Sequence, residues 1–167
     1  MEPVIRTVIL TVNDGSASDE RVVATLEAIR ELLLKGPFVE TNFMVIPDEQ
    51  ALIRAKLRIL SDKGGADLIL TTGGANLSQK ERTPDATREV IEREVPGLAE
   101  VMRIAGMRNS PRSALFRGVC GVRRQTLIVN LPGGPNGLRD SLAAILESLP
   151  PAVEYITGQS RSVVSGE

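Results

Sequence analysis

The stretch DLILTTGGANLSQKERTPDAT, Asp67 to Thr87, decides the fold. An apolar run, Leu68 to Leu70, breaks into Thr71-Thr72-Gly73-Gly74. A polar segment follows, and Thr83-Pro84-Asp85 reads as a helix start. Strand, glycine turn, loop and helix in that order make a holder for a ligand, because open α/β sheets bind beyond the carboxyl ends of their strands. A double glycine near a helix N-terminus suits an anion.

Upstream, the same alternation is already running. Val4 to Val12 reads as a buried strand ending in the turn Asn13-Asp14-Gly15-Ser16. A helix capped by Ser18 or Asp19 runs to about Lys35, and Phe38 to Ile46 is the second strand. Pro47-Asp48-Glu49 opens a second helix, Lys63-Gly64-Gly65 closes it, and Asp67 to Thr72 is the third strand. The order βαβαβ predicts parallel pairing with right-handed crossovers.

Downstream, Pro84 to Glu94 and Leu98 to Met107 read as helices. Ala114 to Val122 and Thr126 to Leu131 read as strands joined by a short turn, so part of the sheet is expected to be antiparallel. Pro132-Gly133-Gly134-Pro135 then leads into a helix to Leu149, and Pro150-Pro151 starts a last one ending near Gly158. The reading is one α/β domain over residues 1–158, a mostly parallel sheet with helices on both faces, and a polar tail, Gln159 to Glu167.

Composition narrows the chemistry. The chain has 167 residues, 42% hydrophobic and 25% charged but only 2% aromatic, so the core is aliphatic. Without histidine, Ser-His-Asp and Cys-His catalysis and the usual zinc ligand sets drop out. A metal would be hard and oxygen-bound, with magnesium the leading candidate, and transfer at phosphorus loses least from this composition. A net charge of -1 gives no reason to expect nucleic acid. No apolar run is long enough for a bilayer, MEPVIRTVIL lacks a signal peptide's features, and the single Cys120 fits a reducing cytoplasm. From Val101 to Arg139 there is no acid but seven arginines, Arg103, Arg108, Arg112, Arg117, Arg123, Arg124 and Arg139, which suggests that some of them meet phosphate.

Four turns follow strands and should gather along one sheet edge: Asn13 to Ser18, Pro47-Asp48, Gly73 to Thr83 and Pro132 to Asn136. They bring Asp14, Asp48, Glu81 and Asp85 near two glycine-rich anion holders, which points to a bridging cation. Each residue also has a plainer role: an Asx turn for Asp14, helix-start charges for Asp48 and Asp85, an N-cap for Thr83, backbone shape for Gly133 and Gly134.

Several segments, in their order and spacing, resemble the molybdopterin adenylyltransferase family of molybdenum cofactor synthesis: IPDEQ at Ile46 to Gln50, LILTTGG at Leu68 to Gly74, TPDAT at Thr83 to Thr87, PGLAEVMR at Pro96 to Arg103, and TLIVNLPGGPNGLRDSL at Thr126 to Leu142. The resemblance implies the three-layer molybdopterin-binding fold, usually a homotrimer and sometimes a hexamer. It implies transfer of AMP from ATP to the phosphate of molybdopterin, with magnesium and release of pyrophosphate. By position it implies catalytic and metal-holding roles for Asp48 and Glu81, and nucleotide binding by Thr72, Gly73, Gly74 and Asn76. It implies molybdopterin binding by Asp14, Asn130, Pro132, Gly133 and Gly134. Where the family reads TTGGTG and then Arg-Asp, this chain has Ala75-Asn76 and Lys80-Glu81, so the second acid is a glutamate. The alternative reading is a non-catalytic molybdopterin-binding paralogue that has lost adenylylation.

Overall fold

The structure, a computed structural model, describes residues 3–158; the expected polar tail lies outside them. Six strands form one sheet: β1 (Ile5–Val12), β2 (Phe38–Ile46), β3 (Leu68–Thr72), β4 (Arg93–Glu94), β5 (Cys120–Arg123) and β6 (Thr126–Leu131). Their order is β2-β1-β3-β6-β5-β4. β2, β1, β3 and β6 pair in parallel, while β5 and β4 continue the sheet antiparallel. The six α-helices are α1 (Asp19–Leu33), α2 (Gln50–Asp62), α3 (Thr83–Val90), α4 (Pro96–Met107), α5 (Pro135–Ile145) and α6 (Leu149–Thr157).

The sheet divides the core in two, because alternate residues of a strand face opposite ways. Ile5 and Ile9 of β1 belong to the same core as α1, α4, α5 and α6, through Leu26, Ile29, Met102, Leu138, Leu142 and Val153. Val8, Leu10 and Val12 pack on the other face with Ile53, Leu57 and Leu60 of α2 and with Ala86 and Val90 of α3. Every residue of β3 and β6 is buried, as expected of central strands covered on both faces.

The connections position the site. From β1 the chain crosses to β2 on one side and returns to β3 on the other. The order therefore reverses between β1 and β3, and their carboxyl ends flank the crevice where such sheets take ligands.

Three expected elements are shorter than the sequence suggests; the helix read to Leu149 ends at Ile145, where a 3-10 turn, Leu146–Ser148, leads into α6. The helix read as ending at Glu94 stops at Val90. Arg93–Glu94 is instead an edge strand, because the Glu92 amide donates to Val122 O (2.8 Å) and the Val95 amide to Cys120 O (2.8 Å). The strand read from Ala114 begins only at Cys120; Pro111–Leu115 is a 3-10 turn, with Ser110 accepting from the Arg112 amide.

Candidate active site

All four post-strand turns meet at one cavity of about 410 Å³. Its lining includes Asp14, Arg21, Asp48, Thr72, Gly73, Gly74, Asn76, Ser78, Glu81, Gly133 and Gly134. The size suits a drug-sized ligand or a nucleotide portion of one.

The two glycine turns form its floor. Gly73 has φ +90°, and a Cβ there would run into the carbonyl oxygen of Val12. β3 can leave the sheet this close to β1 only with a glycine. Thr72 Oγ1 donates to Pro132 O (3.0 Å), tying the end of β3 to the end of β6. Backbone rather than side chain thus faces the cavity on both turns, as close approach to a phosphate requires.

The loop from Gly74 to Thr83 closes on itself, the Thr83 amide donating to Gly74 O (3.1 Å). Glu81 organises its interior: Oε1 accepts from the Asn76 amide (3.1 Å) and Oε2 from the Ser78 amide (3.0 Å). Arg117 grips the loop from outside, donating to Asn76 O (2.7 Å), Glu81 O (2.9 Å) and Asp85 Oδ2 (3.2 Å). Asp48 fastens the loop to the end of β2 by accepting from the Arg82 amide (3.0 Å). Asp48 lies before α2, whose first turn holds no acid, so the helix-dipole role is not the one it fills. Thr83 likewise does not cap α3; Arg82 occupies that position. The Thr83 hydroxyl is buried without a hydrogen-bond partner among the described residues, against Gly74 and near Asp48.

Electrostatics concentrate at the carboxylates. Burial pushes the Asp48 carboxyl above its ordinary range, and the negative charges of Glu81 and Asp14 push it further, against the pull of the Arg82 amide. Asp14 is held below the usual carboxylate range by hydrogen bonds from Ser16. Among the described residues, no three acidic, cysteine or histidine side chains form a protein-only metal cage. Two carboxylates with surplus negative charge beside a phosphate holder do fit a hard divalent cation that keeps its waters and shares ligands with substrate phosphates.

Of the residues expected at the site, Asp14, Asp48, Thr72, Gly73, Gly74, Asn76, Glu81, Gly133 and Gly134 line the cavity, and Asn130 and Pro132 do not. Asn130 is fully buried: its amide donates to Thr71 Oγ1 (2.9 Å) and Thr87 Oγ1 (3.0 Å), and its oxygen accepts from the Val119 amide (3.0 Å). It joins β6, β3, α3 and the approach to β5 beneath the ligand floor. Pro132 contributes through its carbonyl bond to Thr72. The arginine-rich segment also departs from expectation, since none of its seven arginines lines the cavity. Arg103 donates to Phe116 O and Gly118 O, Arg123 and Arg124 pair with Asp62, and Arg139 pairs with Glu31. The lining cation is Arg21, which lies just past the expected caps Ser18 and Asp19 and belongs to none of the segments singled out in the sequence.

The chain and its fold have known counterparts. Residues 8–152 match the family described as a probable molybdopterin binding domain. The molybdopterin adenylyltransferase of Helicobacter pylori (strain J99) is 34% identical over 140 residues, covering 84% of this chain and 78% of the relative. The Escherichia coli K12 enzyme of the same name is 35% identical, covering 86% and 75%. The chain belongs to the molybdopterin adenylyltransferase family. The crystal structure of the molybdopterin biosynthesis enzyme MoaB from Thermus thermophilus superposes with a TM-score of 0.85 at 50% identity, covering 93% of this chain and 98% of that one.

Proposed function

We propose that this protein acts in molybdenum cofactor biosynthesis by transferring AMP from ATP to the phosphate of molybdopterin. The observation that carries the reading is the cavity itself. Two side-chain-free glycine turns meet there, and Asp48, Glu81 and Asp14 gather at one side. An oxygen of the molybdopterin phosphate attacks the α-phosphorus of ATP. That P–O bond forms as the bond to the β-phosphate oxygen breaks, and pyrophosphate leaves with the electron pair. The attacking phosphate is already largely ionised at neutral pH, so no general base is needed, which suits a chain without histidine.

The protein's part is alignment and charge. Gly73 and Gly74 let the triphosphate approach backbone, with Thr72 and Asn76 beside it, while Gly133 and Gly134 face the acceptor. Magnesium, held by Asp48 and Glu81, would neutralise triphosphate charge in the transition state. Asp48 is desolvated and crowded by like charge, so it gains most from a cation.

The protein acts as a homotrimer in the cytoplasm. Supporting self-association, one face of α4 exposes Val101 (43%), Ile104 (65%) and Met107 (46%). Among the described residues no helix is long and apolar enough to cross a membrane, and the free, buried Cys120 suits a reducing compartment.

One observation favours the competing reading, a molybdopterin binder without turnover: both Glu81 oxygens already accept loop amides. Incubation with molybdopterin, ATP and magnesium, followed by mass detection of the adenylated pterin, separates the two. Product formation that falls about 100-fold or more in Asp48→Asn is the expected result. Tight molybdopterin binding with no product would select the binder instead.

A further inference from the structure

The cavity has one lining cation, Arg21, set against three lining acids. Arg21 stands in the first turn of α1, where its amide donates to the capping Ser18 hydroxyl (3.2 Å). A positive side chain opposes the helix dipole there, so helix stability does not account for it. Its guanidinium has no hydrogen-bond or ion-pair partner among the described residues, whereas the cavity's acids Asp48 and Glu81 are tied to the loop. It lies against Gly134, which has φ +85°, and a Cβ at Gly134 would land on the guanidinium. The glycine therefore serves two purposes: it turns the chain into α5 and leaves room for Arg21 over that turn.

The cavity is thus polarised. Asp14, Asp48 and Glu81 line it away from any basic partner of their own in the cavity wall except Arg21. Arg21 sits at the Gly133–Gly134 wall. A phosphate at the acidic end needs a bridging cation, and one at the Gly134 end does not, because a guanidinium can grip it with two donors. Resting on the proposed adenylyl transfer, we infer that Arg21 binds the acceptor's phosphate monoester and orients its oxygen toward the nucleotide. None of the sequence segments that resemble the family contains this residue, and its role is specific: it fixes which of the two substrates has its phosphate held by protein charge alone.

The test uses the intact protein and Arg21→Gln and Arg21→Lys, both at an exposed position. Titration with inorganic phosphate in EDTA reads the anion site without turnover. Wild type is expected to bind, Arg21→Gln to bind about tenfold or more weakly, and Arg21→Lys to fall between. In steady state, Arg21→Gln raises KM for molybdopterin about tenfold and leaves KM for ATP unchanged. Phosphate binding that is absent from wild type or unaltered in Arg21→Gln overturns the inference, as does a rise in KM for ATP alone. If phosphate binding depends on Arg21 but no variant or wild type adenylylates, the anion site stands and the catalytic reading falls. Normal adenylylation with both KM values unchanged in Arg21→Gln gives the reverse.

Discussion

Burial and the carboxylates of Glu81 and Asp14 raise the proton affinity of Asp48, against the hydrogen bond from the Arg82 amide and the Arg82 charge. For an acid, a folded-state pKa above the unfolded value means that the folded chain binds more protons across that window. Stability then declines as pH rises from the unfolded carboxylate range, about 3.9, through the folded value. Asp48→Asn removes the charge and keeps an oxygen able to accept from the Arg82 amide (3.0 Å). We predict that it raises the urea midpoint at pH 7 and that the gain shrinks as the pH approaches 4. Equal midpoints at pH 7, or a gain independent of pH, would rule out a strained charge. Residues held at a cost to stability are commonly functional ones, and this is the physical reason to place Asp48 at the centre of the site.

At the scale of elements, the Gly74–Thr83 loop is ordered by groups it does not itself contain. Glu81 satisfies two of its amides from within, but Arg117 supplies three contacts from the segment between the 3-10 turn and β5, and its own amide donates to Ala75 O (2.7 Å). Replacing Arg117 with Met leaves two loop carbonyls without that partner, so the variant should lose about 2 kcal/mol of stability. The loop should also become accessible to limited proteolysis, with KM for ATP rising and phosphate affinity at Arg21 unchanged. Unaltered proteolysis would show that Glu81 alone shapes the loop. The central strands were legible because Val, Ile and Leu runs such as Val8 to Leu10 and Leu127 to Val129 need only local pattern. Arg93–Glu94 was not, because a short charged segment joins the sheet through bonds to Val122 and Cys120, far away in sequence. The same cause hid the true role of the arginine-rich segment: its side chains meet partners such as Asp62 and Glu31, which lie distant along the chain.

Across the whole molecule, topology made the site legible before any side chain was placed. The βαβαβ order puts three turns on one sheet edge, β6 running parallel to β3 adds the fourth, and the cavity opens where the strand order reverses, between β1 and β3. Asn130 shows the limit of that reasoning: its motif lies at the site, but its side chain points into the core and bonds to Thr71, Thr87 and Val119. Motif position says which turn matters and leaves open which side of it a residue faces. The outer surface follows another rule. An aliphatic chain with 2% aromatics has few large side chains to anchor an interface, so association must rest on branched and flexible aliphatics. The exposed stripe of Val101, Ile104 and Met107 on α4 has that composition, and Ile104 at 65% exposure contributes nothing to the protomer's own core. Ile104→Lys should therefore leave the unfolding transition of an isolated protomer unchanged. It places a solvated ammonium where a partner's apolar surface would pack, at a cost on the order of 2 kcal/mol per contact, or about 30-fold in association. If the proposed trimer forms through this stripe, light scattering across a dilution series should show the variant dissociating at concentrations where wild type stays assembled. An identical mass profile for both proteins would move the interface off α4, and a wild type that is monomeric throughout would remove the trimer itself.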